Sequence, residues 1–359
     1  MRREANKYIF APEKKSRRRG HAFRNFVLIM LPLLIAACVI GNFIVSYQVK
    51  LEKKTLTILN LPEDLESYSI LHISDLHGAE YGEHQKAIAA VLGTTRYSCA
   101  VITGDMRGED GDLDALLDLI ALLAKDKPIY YIAGDTDGSW LDDSAHGSLS
   151  VYRDWAVELQ EAGVILLDRP VSETRGKGTI WFVPEELYTL DLDGMETVYR
   201  KQLDELNRNA TSLTADDAAR KRVIEYETER IAAIRESKAL FKADDIQIVL
   251  THSPLTEEYV SDMIAWTDKD AYFSMRYAGL ILAGHYNGGQ WRLPGIGAIH
   301  VPELGWFPDD RLVQGWDYLN GIPQHISPGL GSDPHYEHQP GRFFNTPSLT
   351  LITLSRRGG

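Results

Sequence analysis

The chain has 359 residues, enough for one large domain or two small ones, and its 44% apolar content is that of an ordinary globular protein. Residues 1–25 carry nine Lys/Arg against two Glu, and setting that +7 against the overall −13 leaves the rest of the chain near −20. A body so acidic argues against nucleic acid as a partner, because phosphate backbones are held by Lys and Arg; two cysteines, Cys38 and Cys99, rule out a disulfide framework.

Residues 1–25 read as a basic cytoplasmic tail. Phe26 to Val49 follows, 24 residues without Asp, Glu, Lys or Arg, which is the length of a transmembrane helix. The basic flank should stay in the cytoplasm, so the sequence predicts a single-pass protein of the cell membrane with residues 50–359 outside. Two other readings stay open. One is a cleaved signal peptide, although no small-x-small site precedes a polar stretch. The other is a lipoprotein signal at Ile35-Ala36-Ala37-Cys38, although the apolar run continues through Val45.

Residues 50–68 form a short lead, with Thr55–Leu61 predicted as an edge strand. Apolar runs at Ser69–Ser74, Cys99–Thr103 and Pro128–Ala133 then alternate with helical spacing at His84–Leu92, Leu113–Ala124 and Val151–Ala162. That alternation predicts a layered α/β domain with strands buried on both faces. Further on, Thr179–Pro184, Ile246–Leu250, Leu280–Ala283, Ala298–Val301 and Ser348–Leu354 read as strands, and a second sheet packed on the first is expected. A helical extension spans about 190–242. Its Thr214–Asp217 stretch has a capping signature, and Val223, Ile224, Ile231 and Ile234 form an apolar stripe. A solvated hairpin lying on the body is expected there, with a lid beside the site as the alternative. Asn209-Ala210-Thr211 fits a glycosylation sequon, a weak signal.

Five strands run directly into metal-type side chains: Asp75 and His77, Asp105, Asp135 and Asp137, His252, and His285. Each alone is an ordinary turn. Ligands in open α/β sheets bind at the carboxyl ends of strands, so five such ends point to one metal site assembled from distant parts of the chain.

This order resembles the calcineurin-like metallophosphoesterase superfamily, most closely its membrane-anchored bacterial branch. The resemblance covers residues 55–354 apart from the 190–242 extension. It rests on Leu61-Pro62 leading into Ile70–His77, on Gly284-His285 with Gly288–Pro294, on Ser327–Gly331, and on Arg342-Phe343 to Leu351–Leu354. It implies a four-layer sandwich of two packed mixed β-sheets flanked by helices, here preceded by one transmembrane helix. It also implies a dinuclear site. Asp75 and His77 would bind the first ion, Asp105 would bridge, and His252 and His285 would bind the second. Two cations roughly 3.5–4 Å apart clamp a phosphoryl oxygen and activate water.

Two departures from the pattern stand out. The family's Gly-Asn-His-Asp/Glu turn reads Gly134-Asp135-Thr136-Asp137. Asp135 can still bind the second ion, whereas Thr136 cannot act as a general acid near neutral pH, a role worth about 10²–10⁴ in rate. Thr136 and Asp137 therefore occupy the catalytic turn. The family's Gly-His-x-His ends in Asn287, a weak amide ligand for the first ion. One imidazole fewer and one carboxylate more shift the preference toward harder ions: one or two divalent cations among Mn, Mg, Fe and Zn, harder ones favoured. His84, His146 and His300 are candidates to replace a lost imidazole. The resemblance thus implies a metal-dependent phosphoesterase acting outside the membrane on a phosphorylated small molecule or lipid-linked phosphate. The alternative is a catalytically impaired relative with a binding or regulatory role. Composition gives no oligomeric state.

Overall fold

The computed structural model describes residues 16–144, 150–208, 213–267, 271–334, 336, 338–339 and 341–356. His146, the Asn209–Thr211 sequon and most of the basic tail lie outside them. The chain divides into two compact units, Met1–Val45 and Ser46–Gly359.

Helix α1 (Ser16–Tyr47) fills most of the described part of the first unit. Its Phe23–Tyr47 stretch is long and apolar enough to cross a membrane, and its apolar side chains are exposed. The helix stops two residues before the predicted end. Val49 is buried and packs with Leu71 and Leu349 in the core of the body.

The second unit begins with β1 (Lys50–Thr57), β2 (Ser69–Ile73), α2 (Lys86–Leu92), β3 (Cys99–Ile102), α3 (Asp114–Leu122), β4 (Ile129–Tyr131), α4 (Asp154–Glu161) and β5 (Val164–Leu166). Next come β6 (Val171–Arg175), β7 (Gly178–Pro184), α5 (Leu192–Arg208), α6 (Ala215–Leu240), β8 (Ile246–Leu250), α7 (Glu257–Thr267) and β9 (Ala278–Ala283). Two small hairpins follow, β10–β11 (Arg292–Leu293 and Gly297–Ala298) and β12–β13 (His300–Val301 and Gly305–Trp306), then β14 (Gly315–Leu319), β15 (Ile322–Ile326) and β16 (Ser348–Ser355).

Two mixed six-stranded sheets result, ordered β1-β16-β2-β3-β4-β5 and β14-β15-β9-β8-β7-β6. Their facing sides meet in one apolar layer, where Ile70, Val101 and Tyr130 pack against Phe182, Ile248 and Leu282. The outer face of the first sheet is covered by α2, α3 and α4 through Ile88, Leu116, Leu119 and Leu159. The outer face of the second is covered by Ile234 of α6 and Val260 of α7. Because central strands are buried on both faces, they read as unbroken apolar runs. The predicted four layers are present.

Three predicted elements need correction. The edge strand is Lys50–Thr57 and not Thr55–Leu61; its Lys and Glu side chains fill partly exposed edge positions, which hides it from an apolar search. Ser348–Leu354 belongs to the first sheet, where β16 lies between β1 and β2. Ala298–Val301 is split between two hairpins at Ile299, whose N–H donates to Trp291 O (2.9 Å).

The 190–242 extension is a helical hairpin. Thr214 caps α6 in a reciprocal box: its Oγ1 accepts from Asp217 N (3.1 Å), and its N–H donates to Asp217 Oδ2 (3.0 Å). Ile224, Ile231 and Ile234 are buried as expected, whereas Val223 is only partly covered. Arg230 ties α6 to the body, donating to Asp168 O and Glu186 Oε1 at 2.7 Å each.

Candidate metal centre

The five sequence clusters converge because the strands carrying them are neighbours with a common direction. Beyond β2 and β3 the backbone keeps pairing: Asp75 N donates to Gly104 O (2.9 Å) and His77 N to Asp105 O (3.0 Å). The next turn comes closer still. Gly104 has φ +90°, and a Cβ there would strike the backbone of Gly134. A Cβ on Gly134 would in turn strike Asp105 and stand 2.8 Å from His252 Cε1. Only glycine at both positions lets the turns touch. Within the second sheet Gly284 N donates to His252 O (2.8 Å), and that sheet joins the first through His285 N, which donates to Asp75 Oδ1 (2.8 Å).

Asp75, His77 and Asp105 form one group and Asp105, His252 and His285 a second, each with ligand atoms within 4.8 Å of one another. Asp105 belongs to both. Its Oδ1 accepts from Thr136 N (2.8 Å) and Thr136 Oγ1 (2.9 Å). Its Oδ2 is left between His252 Nε2 (3.2 Å) and His77 Nε2 (3.7 Å). His252 donates from Nδ1 to Thr103 O (2.8 Å), which fixes the tautomer so that Nε2 faces the cluster. Asp135 Oδ2 lies 3.4 Å from His285 Nδ1 and 3.9 Å from His252 Nε2. Asn287 donates from Nδ2 to His285 O (3.2 Å), with His77 Nε2 at 3.3 Å.

These residues fit divalent cations on three grounds. Asp75 Oδ2 and Asn287 Oδ1 are buried oxygens with no hydrogen-bond partner, an arrangement that is costly unless a cation or other donor meets them. Asp75, His77, Asp105, His285 and Asn287 all have positive φ, between 45° and 79°. Left-handed backbone costs roughly 1–2 kcal/mol per residue, and such strain collects at functional sites. The third ground is the donor set itself, carboxylates and imidazoles with a carboxylate shared between two groups.

Residues 68–287, well over half the chain, match the calcineurin-like phosphoesterase family. The chain belongs to that family. Membership carries metal-dependent phosphoesterase chemistry in general. Among solved structures, the phosphopantetheinyl hydrolase of Mycobacterium tuberculosis matches at 14% identity and a TM-score of 0.37, over 80% of this chain and 96% of that one. No curated protein matches the sequence.

In this calcineurin-like phosphoesterase the field at the cluster is strongly negative. Burial opposes the His252 cation, but the Asp105 hydrogen bond and the charges of Asp75 and Asp105 outweigh it and hold the imidazole up at about 10. Burial alone would raise Asp105 as well. The His252 hydrogen bond and the nearby imidazoles reverse that and hold the carboxyl well below the usual carboxylate range. Asp75 stays raised, mainly by burial. The same field favours a divalent cation.

Asp137 has a different place from its neighbours. It is fully buried, and Oδ2 accepts from Asp105 N (2.8 Å) and Gly134 N (2.9 Å), while Oδ1 accepts from Met106 N (2.9 Å) and Arg107 N (3.1 Å). Both oxygens are therefore engaged in stitching the Asp105 turn to the Gly134 turn. Hydrogen bonds to a charged acceptor contribute about 1.5–3 kcal/mol each. Asp137→Asn keeps the shape but offers an NH₂ to two donors. Calorimetric titration with Mn should show an affinity about 10–100-fold weaker, the usual cost of a lost supporting group; unchanged affinity would refute the positioning role.

Neither described candidate histidine restores the lost imidazole. His84 pairs with Asp118 (3.0 Å) at the surface, and His300 packs against Trp306, ring centroids 4.8 Å apart. One residue beside the cluster escaped the sequence reading: Glu303, whose Oε1 is 3.7 Å from His285 Nε2. It has no motif and lies on the β12–β13 turn, so only the hairpin geometry reveals it.

Proposed function

We propose that the chain is a metal-dependent phosphoric ester hydrolase anchored in the cell membrane by α1, with its N-terminus cytoplasmic and its body outside. It would hydrolyse a phosphomonoester, phosphodiester or diphosphate. The observation that carries this reading is the single carboxylate, Asp105, common to two adjacent ligand groups. Asp75 and His77, with Asn287 Oδ1, are suited to one ion; His252, His285 and Asp135 are suited to the other; Asp105 Oδ2 joins them. Such ions supply charge stabilisation for phosphoryl oxygens and an acidified water. The protein's own part is to fix these donors: Thr103 O orients His252, the backbone of His285 orients Asp75, and Asp137 holds the Asp105 turn. The oxygen-rich donors favour Mn or Mg.

Thr136 favours a second reading, a binding protein with weak turnover. Its hydroxyl donates to Asp105 Oδ1, and it cannot protonate a leaving oxygen. The two readings separate in one experiment. Full-length protein purified in detergent without chelator should contain one or two equivalents of metal by elemental analysis. Loaded with Mn, it should cleave bis(p-nitrophenyl) phosphate, and chelation should remove that activity reversibly. Bound metal without turnover selects the second reading; protein with no metal affinity refutes both.

A further inference from the structure

We infer that the metal centre opens at the end of the body where the anchor enters, and that its substrate is a lipid whose phosphate ester lies at the bilayer surface. The inference rests on the phosphoesterase reading above and on α1 as a membrane anchor.

Strand direction gives the first observation. β1 runs parallel to β16, and β16 runs antiparallel to β2. Lys50 pairs with Ser348, and Thr350 pairs with His72, so the start of β1 lies level with the carboxyl end of β2. Two strand spacings separate them, about 10 Å. Hydrogen bonds trace the path: Lys50 N to Pro347 O (3.0 Å), Ser348 N to Gly329 O (3.1 Å), and Leu330 N to Asp75 O (3.2 Å).

A cavity gives the second. Ser46 and Tyr47, the last residues of α1 and part of the second unit, line a space of about 240 Å³ together with His77, Tyr81, Gly331 and Arg342. A candidate metal ligand and the end of the anchor thus share one cavity. Only Gln48 and Val49 separate α1 from β1. Two extended residues span roughly 7 Å, so the start of β1 stays within that reach of the last residue of α1.

The hairpin beside His285 gives the third. Beside His285 the β12–β13 turn brings Glu303, and Trp306 at the end of β13 and Phe307 just after it are 72% and 57% exposed. Indole rings favour the headgroup level of a bilayer. The cluster is therefore flanked by the anchor's end on the His77 side and by exposed aromatics on the His285 side. The net charge near −20 beyond residue 25 also repels soluble phosphates approaching from water. A lipid arriving laterally avoids most of that path, with its phosphate at the ligands and its chains in the bilayer. The reaction is hydrolysis: the P–O bond to the leaving oxygen breaks, the oxygen of water replaces it on phosphorus, and a proton from water goes to the leaving oxygen or to solvent.

The test uses the Mn-loaded full chain in phosphatidylcholine nanodiscs. Dioleoyl phosphatidic acid in the disc should turn over at least 10-fold faster than dibutyryl phosphatidic acid in solution at equal total phosphate. Lipids brominated near the carbonyl should quench tryptophan fluorescence in the wild type more than in Trp306→Phe. Equal turnover of the two acids, cleavage of neither, or equal quenching in wild type and variant would overturn the inference while bis(p-nitrophenyl) phosphate is still cleaved. Loss of that aryl activity as well would remove the phosphoesterase reading and this inference with it.

Discussion

Asp105→Asn is expected to lower kcat/KM for bis(p-nitrophenyl) phosphate by on the order of 10³-fold or more, because it removes the one carboxylate that both ligand groups use. Two cations at close range repel each other, and an anion between them is what makes the pair tolerable. The variant keeps the side-chain volume and an oxygen able to accept from Thr136, so the backbone turns should persist. What is lost is charge, worth several kcal/mol in metal-assisted chemistry, and each 1.36 kcal/mol is tenfold in rate. A second readout separates this from misfolding. A ligand that binds only the native state raises its stability, so chelation should lower the melting temperature of the wild type and leave that of Asp105→Asn nearly unchanged. If the variant kept two equivalents of metal and its rate, Asp105 would not be the bridge.

Thr136→His should act in the opposite direction, and selectively. For an alkyl or nucleoside diester, whose leaving oxygen needs a proton, the gain should approach the 10²–10⁴ typical of a positioned acid. For bis(p-nitrophenyl) phosphate, whose leaving group is stable as an anion, the gain should be small. Position 136 is half-buried. Its main-chain N–H still donates to Asp105 Oδ1 (2.8 Å), so only the hydroxyl bond is forfeited, about 1 kcal/mol. A gain of equal size on both substrates would show that the ring acts on metal binding and not as an acid. No gain on either would show that another group already delivers the proton.

The sequence carried the candidate ligands more plainly than the frame that holds them. Asp75, His77, Asp105, His252 and His285 could be found because each follows an apolar run, and a run ending in a polar metal-type residue is a local signal. Asp135 and Asn287 came from a motif comparison, and both reach the cluster. The work of Asp137 was not readable, since its four donors come from residues up to 32 positions away. Glu303 was equally hidden, because only hairpin geometry brings it to His285. The fold was legible in its layers and less so at its edges. The Lys-rich stretch at 50–54 does not look like a strand until its partner is known, and nothing local announces that Ser348–Ser355 would insert beside β2.

That insertion sets an order of events. β1 and β16, from opposite ends of the body, pair over eight residues, and β1 has no other neighbour in its sheet. Gly329 and Leu330, which lean on Ser348 and Asp75, also wait for β16. The first sheet therefore cannot close until β16 has been made, and pairing over such separation is intrinsically slow. If α1 leads the body across a bilayer, the polypeptide arrives on the far side with its ion-binding turns unformed. The cations must then be acquired there, once β16 has joined the sheet, from whatever that compartment supplies.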